Sequence, residues 1–214
     1  KRLTGQFDGV LTGKSLLWGG SLVRKEATGY GCVYFAQNML EDKGESLSGK
    51  TCLVSGAGNV AIHTIEKLYQ LGACPVTCSD SSGTLHHPKG IDLDTLKDLK
   101  EVRHERLDKY LSEYPDAEFI PVSEYPDGGH AVWRIAGQLP FPRATQNEST
   151  AAAATLLVHH ACLALVLGAH LPSTQDAVDL FTDAGFYSVP ANAANSGGVP
   201  TRPHGMAPTP ARRA

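Results

Sequence analysis

Residues 51–83 read TCLVSGAGNVAIHTIEKLYQLGACPVTCSDSSG, and this stretch decides the fold. Residues 51–55 form a short apolar and β-branched run, and a glycine turn follows. Ala61, Ile65, Leu68 and Leu71 then share one helical face until Gly72 closes the helix. Residues 74–79, CPVTCS, read as a second strand. Strand, turn, helix and strand within about 30 residues make a βαβ unit, and its right-handed crossover gives parallel pairing. The expected class is α/β, with a Rossmann-like doubly wound, mostly parallel sheet.

The turn carries chemistry. Gly56-Ala57-Gly58-Asn59-Val60-Ala61 fits G-x-G-x-x-G/A directly after a strand, and Asp80 ends the next strand 22 residues past Gly58. Gly56 permits the sharp turn, Gly58 lets the main chain approach a pyrophosphate, and Ala61 is small enough for close packing of helix on strand. The helix start then offers free N–H groups and a partial positive charge to an anion. A carboxylate at Asp80 suits a ribose 2′-hydroxyl and repels a 2′-phosphate. Its neighbours point the other way: Ser81 and Ser82 are donors, and Arg103 and Arg106 lie on the following helical segment. From spacing alone, a solvated helix face is the better description of those arginines.

Outward from the turn, residues 26–40 place Val33, Phe35, Ala36, Met39 and Leu40 near helical spacing, with Gly44 as a stop. Residues 92–113 form an amphipathic pattern in which Leu93, Leu96, Leu99, Val102, Leu107, Tyr110 and Leu111 line one side, capped by Asp92 or Asp94. Beyond residue 115, AEFIPV (117–122) and HAVWRIAGQL (130–139) read as short strands. STQDAVDLFTDAGF (173–186) reads as a capped helix, and the stretch 149–172 is apolar without a clean period. The organisation expected is a leader and helix over 1–48, a dinucleotide-binding domain over 49–199, and a proline-rich disordered tail over 200–214.

Composition bounds the partners. The 214 residues suit one core, and 19 basic against 22 acidic residues leave a formal charge of −3 with no basic stripe. No nucleic acid and no membrane partner is expected, since no apolar run approaches the roughly 20 residues of a membrane helix. The start, KRLTGQFDGV, has no signal core and no Met, so the chain reads as cut from something longer. Five cysteines without metal spacing fit a reducing, cytoplasmic compartment. Cys74 and Cys78, on one strand face roughly 13 Å apart, are too distant for a disulfide. The pairs His86-His87 and His159-His160 point to different sides and lack ligand-spaced carboxylates, so no metal site is expected. Residues 9–15, GVLTGKS, fall one residue short of a P-loop.

The chain resembles the hexameric, NADP-dependent glutamate dehydrogenases of the Glu/Leu/Phe/Val dehydrogenase family, and looks like their nucleotide-binding half. The resemblance runs through LTGKSLLWGGSLVRKEATGYG (11–31), GKTCLVSGAGNVA (49–61), SDSSGT (79–84), ATQNE (144–148) and AANSGGV (193–199). It implies NADP as cofactor, L-glutamate and 2-oxoglutarate as substrates of the full-length protein, and a homo-hexamer. Gly56, Gly58 and Asn59, with Val60 beside them, would meet the pyrophosphate, and Arg24 and Thr28 the nicotinamide carboxamide. Gln146 and Asn147 would lie near the nicotinamide end with Asn195 nearby, and Gly198 and Val199 on the substrate side. Members carrying SDSSG are typically NADP-specific, with a basic residue on the next helix taking the 2′-phosphate; Ser81 and Arg103 occupy those positions, and Asp80 then loses its meaning as an NAD marker.

No catalytic residue is assigned within 1–214. In the family, the lysines that hold substrate and activate water, and the proton-shuttling aspartate, precede the position of this chain's first residue. The chain alone is therefore expected to bind cofactor without turnover. Three positions depart from the family: Arg143 replaces a Cys, His170 an Asn, and Arg202 a small Ser. Two other readings stand beside this one: a non-catalytic nucleotide-binding module or remnant, and a related NAD-dependent amino-acid dehydrogenase.

Overall fold

Strand β1 (Thr51–Val54) buries Cys52, Leu53 and Val54 in succession, and they face two ways. Cys52 and Val54 join one hydrophobic cluster and Leu53 another. A strand covered on both faces needs an unbroken apolar run, which is what this sequence supplies. The computed structural model describes residues 25–125, 130–144, 150–160, 162, 164–166, 174–184 and 187–189.

In chain order the helices are α1 (Ala27–Glu41), α2 (Asn59–Gln70), α3 (Leu93–Lys97), α4 (Ala151–His159) and α5 (Gln175–Asp183). The further strands are β2 (Cys74–Pro75), β3 (Thr77–Asp80), β4 (Gly83–His86), β5 (Glu118–Pro121), β6 (Leu139–Phe141), β7 (Ala164–Val166) and β8 (Tyr187–Val189). β1 pairs in parallel with β2 on one side and β6 on the other, Cys52 standing opposite both Pro75 and Leu139. β3, β4 and β5 form an antiparallel sheet, and β7 pairs in parallel with β8. The α/β class expected from the sequence is the one found, with an antiparallel sheet added beyond the crossover.

α1 and α2 supply one face, where Cys32, Val33 and Ala36 pack with Ile62, Ile65 and Leu68. Their approach is close at Gly29, where an added Cβ would lie 2.9 Å from Val60 O and from Thr64 N. On the other face Ala153, Ala154, Leu157, Ala177 and Phe181 surround Leu53 together with the fully buried Trp133. Thr150 and Thr174 cap α4 and α5, their side chains accepting from Ala153 N and Ala177 N.

Three expectations are corrected. Residues 74–79 are not one strand. Val76 N still donates to Cys52 O at 3.0 Å, and beyond it β3 pairs with β4 instead. The backbone of Val54 is then met by a side chain: Thr77 Oγ1 accepts from Val54 N at 2.9 Å and donates to Val54 O at 3.1 Å. Nor do residues 92–113 form one helix. Asp92 caps α3, as expected, by accepting from Thr95 N. A π-helical turn (Asp98–Val102) follows, His104 is left-handed at φ 53°, and Leu107–Ser112 form a 3₁₀ turn. The cause is distant in sequence. Asp80 Oδ2 takes Lys100 Nζ at 2.9 Å and Leu107 N at 3.3 Å, and Lys100 also donates to Glu105 O. Leu96, Leu99, Leu107 and Tyr110 stay buried through the break, whereas Val102 is 71% exposed. Finally, 130–139 is not one strand: it opens with a 3₁₀ turn (Ala131–Arg134), begun by His130 Nδ1 accepting from Val132 N, and β6 starts only at Leu139. The leader 1–20 and the tail 200–214 lie outside the described residues.

Thr77→Val keeps the shape and removes the hydroxyl, which leaves the buried N–H and C=O of Val54 unmatched. Urea unfolding of this variant is expected to show a loss of about 1–3 kcal/mol.

Candidate functional site

The glycine turn leaves β1 at Ser55 and turns at Gly56, whose φ of +82° is left-handed and disfavours any side chain. A Cβ there would also press on Arg143 O at 3.3 Å and on Ala144 Cα at 3.4 Å. Ser79 on β3 holds the turn from the other side, accepting from Gly56 N at 2.8 Å while Ser79 N donates to Gly56 O at 3.2 Å. The Gly56 amide is therefore matched within the protein. The donors open to a ligand belong to the start of α2, where no side chain among the described residues caps the helix and no acidic residue stands in the first turn. The first intrahelical bond runs from Ile62 N to Gly58 O, so the amides before it form an anion-binding end with the helix dipole behind them.

That end opens into a pocket of about 510 Å³ lined by Gly56, Ala57, Gly58 and Ala144 on one side. Ser79, Asp80, Ser81 and Lys100 line another side, with Val122, Tyr125 and His130 completing it. Asp80 is engaged inside the protein: Oδ1 accepts from Ser82 N and Oγ, Oδ2 from Lys100 and Leu107 N. Burial by itself would raise its pKa, but the bonds from Ser82 and the bond and charge of Lys100 outweigh that and hold it below the ordinary carboxylate value. A carboxylate with both oxygens occupied is poorly free for a ribose hydroxyl. Next to it, Ser81 Oγ is hydrogen-bonded by Arg106 Nη1. Arg103 turns instead to carboxylates, Glu105, Glu113 at 3.4 Å and Asp98 at 3.6 Å.

The far wall was not legible in the sequence. Tyr125 donates to or accepts from Thr84 Oγ1 at 2.6 Å, and its ring lies 4.8 Å from that of His130. Burial pushes the pKa of His130 down to about 4, which makes the ring neutral near pH 7. Val122, Tyr125 and His130 carry no spacing relative to the glycine motif; Val122 and Tyr125 follow β5, which pairs with β4, and His130 packs on the Tyr125 ring. Lys100 sits on the charged side of an amphipathic pattern, where nothing local distinguishes it.

Thr28, half-buried in the first turn of α1, stands beside the same corner, because Asn59 Nδ2 donates to Lys25 O at 2.7 Å and Gly29 packs on Val60 O. The Asn59 side chain thus ties α1 to α2, and its main chain faces the turn. Arg143 is buried, its guanidinium 5.3 Å from the Phe141 ring centroid. The expected Arg24, Gln146, Asn147, Asn195, Gly198 and Val199, and the departures His170 and Arg202, lie outside the described residues. A larger open groove, about 660 Å³ over Tyr69, His87, Gly90 and Asp92, contains no residue of the glycine motif. Among the described residues no cluster of three or more His, Cys, Asp or Glu is arranged to hold a metal ion, and no helix is long and apolar enough to cross a membrane.

The model of a family described as Glutamate/Leucine/Phenylalanine/Valine dehydrogenase matches residues 19–207. An NADP-specific glutamate dehydrogenase of Helicobacter pylori is 52% identical over 199 residues, covering 93% of this chain and 44% of its own length. An NAD(P)-specific glutamate dehydrogenase of Xylanibacter ruminicola is 47% identical over 204 residues, covering 94% of this chain and 44% of its own. The crystal structure of Plasmodium falciparum glutamate dehydrogenase superposes with a TM-score of 0.88 at 38% identity, over 97% of this chain and 44% of that one. The chain spans less than half the length of these relatives.

Because the folded-state pKa of Asp80 is depressed, its contribution to stability is present above the unfolded value of about 4 and is lost as pH falls through the folded value. Unfolding free energies measured from pH 5 down to pH 3 are expected to fall more steeply for the wild type than for Asp80→Asn. Equal slopes would show that the carboxylate is not held by Lys100 and Ser82.

Proposed function

We propose that this chain, which belongs to the glutamate/leucine/phenylalanine/valine dehydrogenase family, is the NADP-binding part of a glutamate dehydrogenase. The whole protein would convert L-glutamate, NADP⁺ and water to 2-oxoglutarate, ammonium and NADPH with release of a proton. The observation that carries the reading is the start of α2, opening into a pocket lined by Ser81, which Arg106 hydrogen-bonds, and by Asp80, whose oxygens are taken by Ser82, Lys100 and Leu107 N.

In this reading the amides of Gly58, Asn59 and Val60 hold the diphosphate, and Gly56 shapes the turn. Ser81 and a cation take the 2′-phosphate. Arg103 holds the position the family resemblance gives, and the bond between Arg106 and Ser81 supports Arg106 as its companion or replacement. Tyr125 and Val122 offer an apolar wall to the adenine. Arg24 and Thr28 would address the nicotinamide carboxamide, Gln146, Asn147 and Asn195 that end of the cofactor, and Gly198 and Val199 the substrate. Bound NADP⁺ supplies the hydride acceptor. Within 1–214 no side chain is proposed as proton donor or acceptor for the substrate, and the catalytic lysines and aspartate belong to the substrate domain. The homo-hexamer and the cytoplasmic location go with this reading; Cys32, Cys52, Cys74, Cys78 and Cys162, none of them in a disulfide, suit the latter.

Titration of the purified chain followed by nicotinamide fluorescence is expected to show saturable NADPH binding, with NADH at least about tenfold weaker, equivalent to about 1.4 kcal/mol. Ser81→Ala with Arg106→Ala should erase that preference by weakening NADPH alone. Equal losses for both cofactors would contradict the 2′-phosphate assignment, and loss in Arg103→Ala but not Arg106→Ala would return the role to Arg103. Glutamate-dependent NADPH formation by the chain alone is expected to be undetectable.

A further inference from the structure

His130 lines the pocket beside Tyr125, the ring centroids 4.8 Å apart and the planes tilted by 52°. The 3₁₀ turn that it begins holds it in place. Its carbonyl accepts from Trp133 N at 3.1 Å, and Trp133 is fully buried. Its Nδ1 accepts from Val132 N at 3.3 Å. A ring that is neutral near pH 7 and accepts at Nδ1 carries its proton on Nε2. Among the described residues no acceptor meets that N–H, so Nε2 is a donor left for whatever fills the pocket.

The rest of the same wall offers no competing polar group. Val122 is apolar, and the Tyr125 hydroxyl is engaged with Thr84 Oγ1 at 2.6 Å. The wall belongs to the Ser81 side, since Val122 N donates to Ser82 O at 3.0 Å, two residues past Asp80. In a dinucleotide-binding fold the acidic position after the second strand stands at the ribose of the adenosine, so the ring beyond it is the adenine. Adenine presents what such a wall requires: a flat apolar face for Tyr125 and Val122, and the unprotonated ring nitrogens N1, N3 and N7 on its edge as acceptors.

We propose that His130 reads the base of the cofactor, its Nε2–H donating to a ring nitrogen of the adenine. This rests on the dinucleotide-binding reading above and adds a direct contact to it. Because Nδ1 is taken up by Val132 N, the ring cannot turn over to present an acceptor without leaving a main-chain amide unmatched. A base that carries a proton at the matching edge position is therefore refused as well as unbonded.

The test uses the purified 214-residue chain and adenosine 2′,5′-bisphosphate, together with its 1-deaza, 3-deaza and 7-deaza counterparts, in each of which one ring nitrogen is replaced by C–H. The wild type is expected to bind one of the deaza ligands about fivefold more weakly than the parent, the worth of one neutral hydrogen bond. His130→Phe keeps a ring against Tyr125 but has no donor. It should weaken the parent by a similar factor and no longer distinguish the parent from that deaza ligand. His130→Gln also loses the Nδ1 bond but keeps an amide donor, so it should bind the parent within about twofold of the wild type. Equal weakening by His130→Phe and His130→Gln, or independent losses for every deaza ligand, would overturn the role of His130 while leaving the nucleotide site standing. Binding of NADPH without the bisphosphate would also count against it, and failure of the wild type to bind either would remove the nucleotide reading and this inference with it.

Discussion

The end of β1 is completed by side-chain hydroxyls where a neighbouring strand would ordinarily complete it, and the site depends on that substitution. Thr77 matches both backbone groups of Val54, Ser79 matches the Gly56 amide, and Ser55 matches Arg143 and Ala144. A strand continuing alongside β1 would run its own backbone past the turn and close it. Short hydroxyl side chains satisfy the same donors and acceptors while the main chain of β3 moves off to pair with β4. The turn is thus fixed beneath and left open above, at the start of α2.

What was legible in the sequence is what local rules control. The glycine spacing, the helical faces of α1 and α2, and the caps Asp92 and Thr174 all follow from residues within a turn or two of one another. What was not legible is governed by contacts across many residues. The leucine pattern of 92–113 continues unchanged across a break caused by Asp80, 20 residues before Lys100. The exposed Val102 shows that a periodic position in a broken helix need not face the core. Likewise CPVTCS reads as one strand because no turn residue interrupts it, yet Thr77 and Ser79 reach Val54 N and Gly56 N with their hydroxyls.

The candidate site was half visible for the same reason. The motif announced Gly56, Gly58 and Asp80, and the family resemblance added Ser81 and a basic residue. Asp80 nonetheless has a structural duty: it draws Lys100 and the 3₁₀ turn at Leu107 toward the Ser81 side of the pocket. Through that one carboxylate the position that conventionally reads a ribose becomes a post for the segment bearing Arg103 and Arg106. Tyr125 and His130, which no spacing rule connects to the turn, give the pocket its far wall: Tyr125 follows β5, and His130 packs on its ring.

On the proposed reading, the amides at the start of α2 receive the diphosphate of a dinucleotide. Amide chemical shifts of the ¹⁵N-labelled chain during NADPH addition test it most directly. Large, saturable shifts are expected at Gly58, Asn59 and Val60, with the Gly56 amide less affected because Ser79 already holds it. Saturable NADPH binding that leaves Gly58, Asn59 and Val60 unshifted would contradict it.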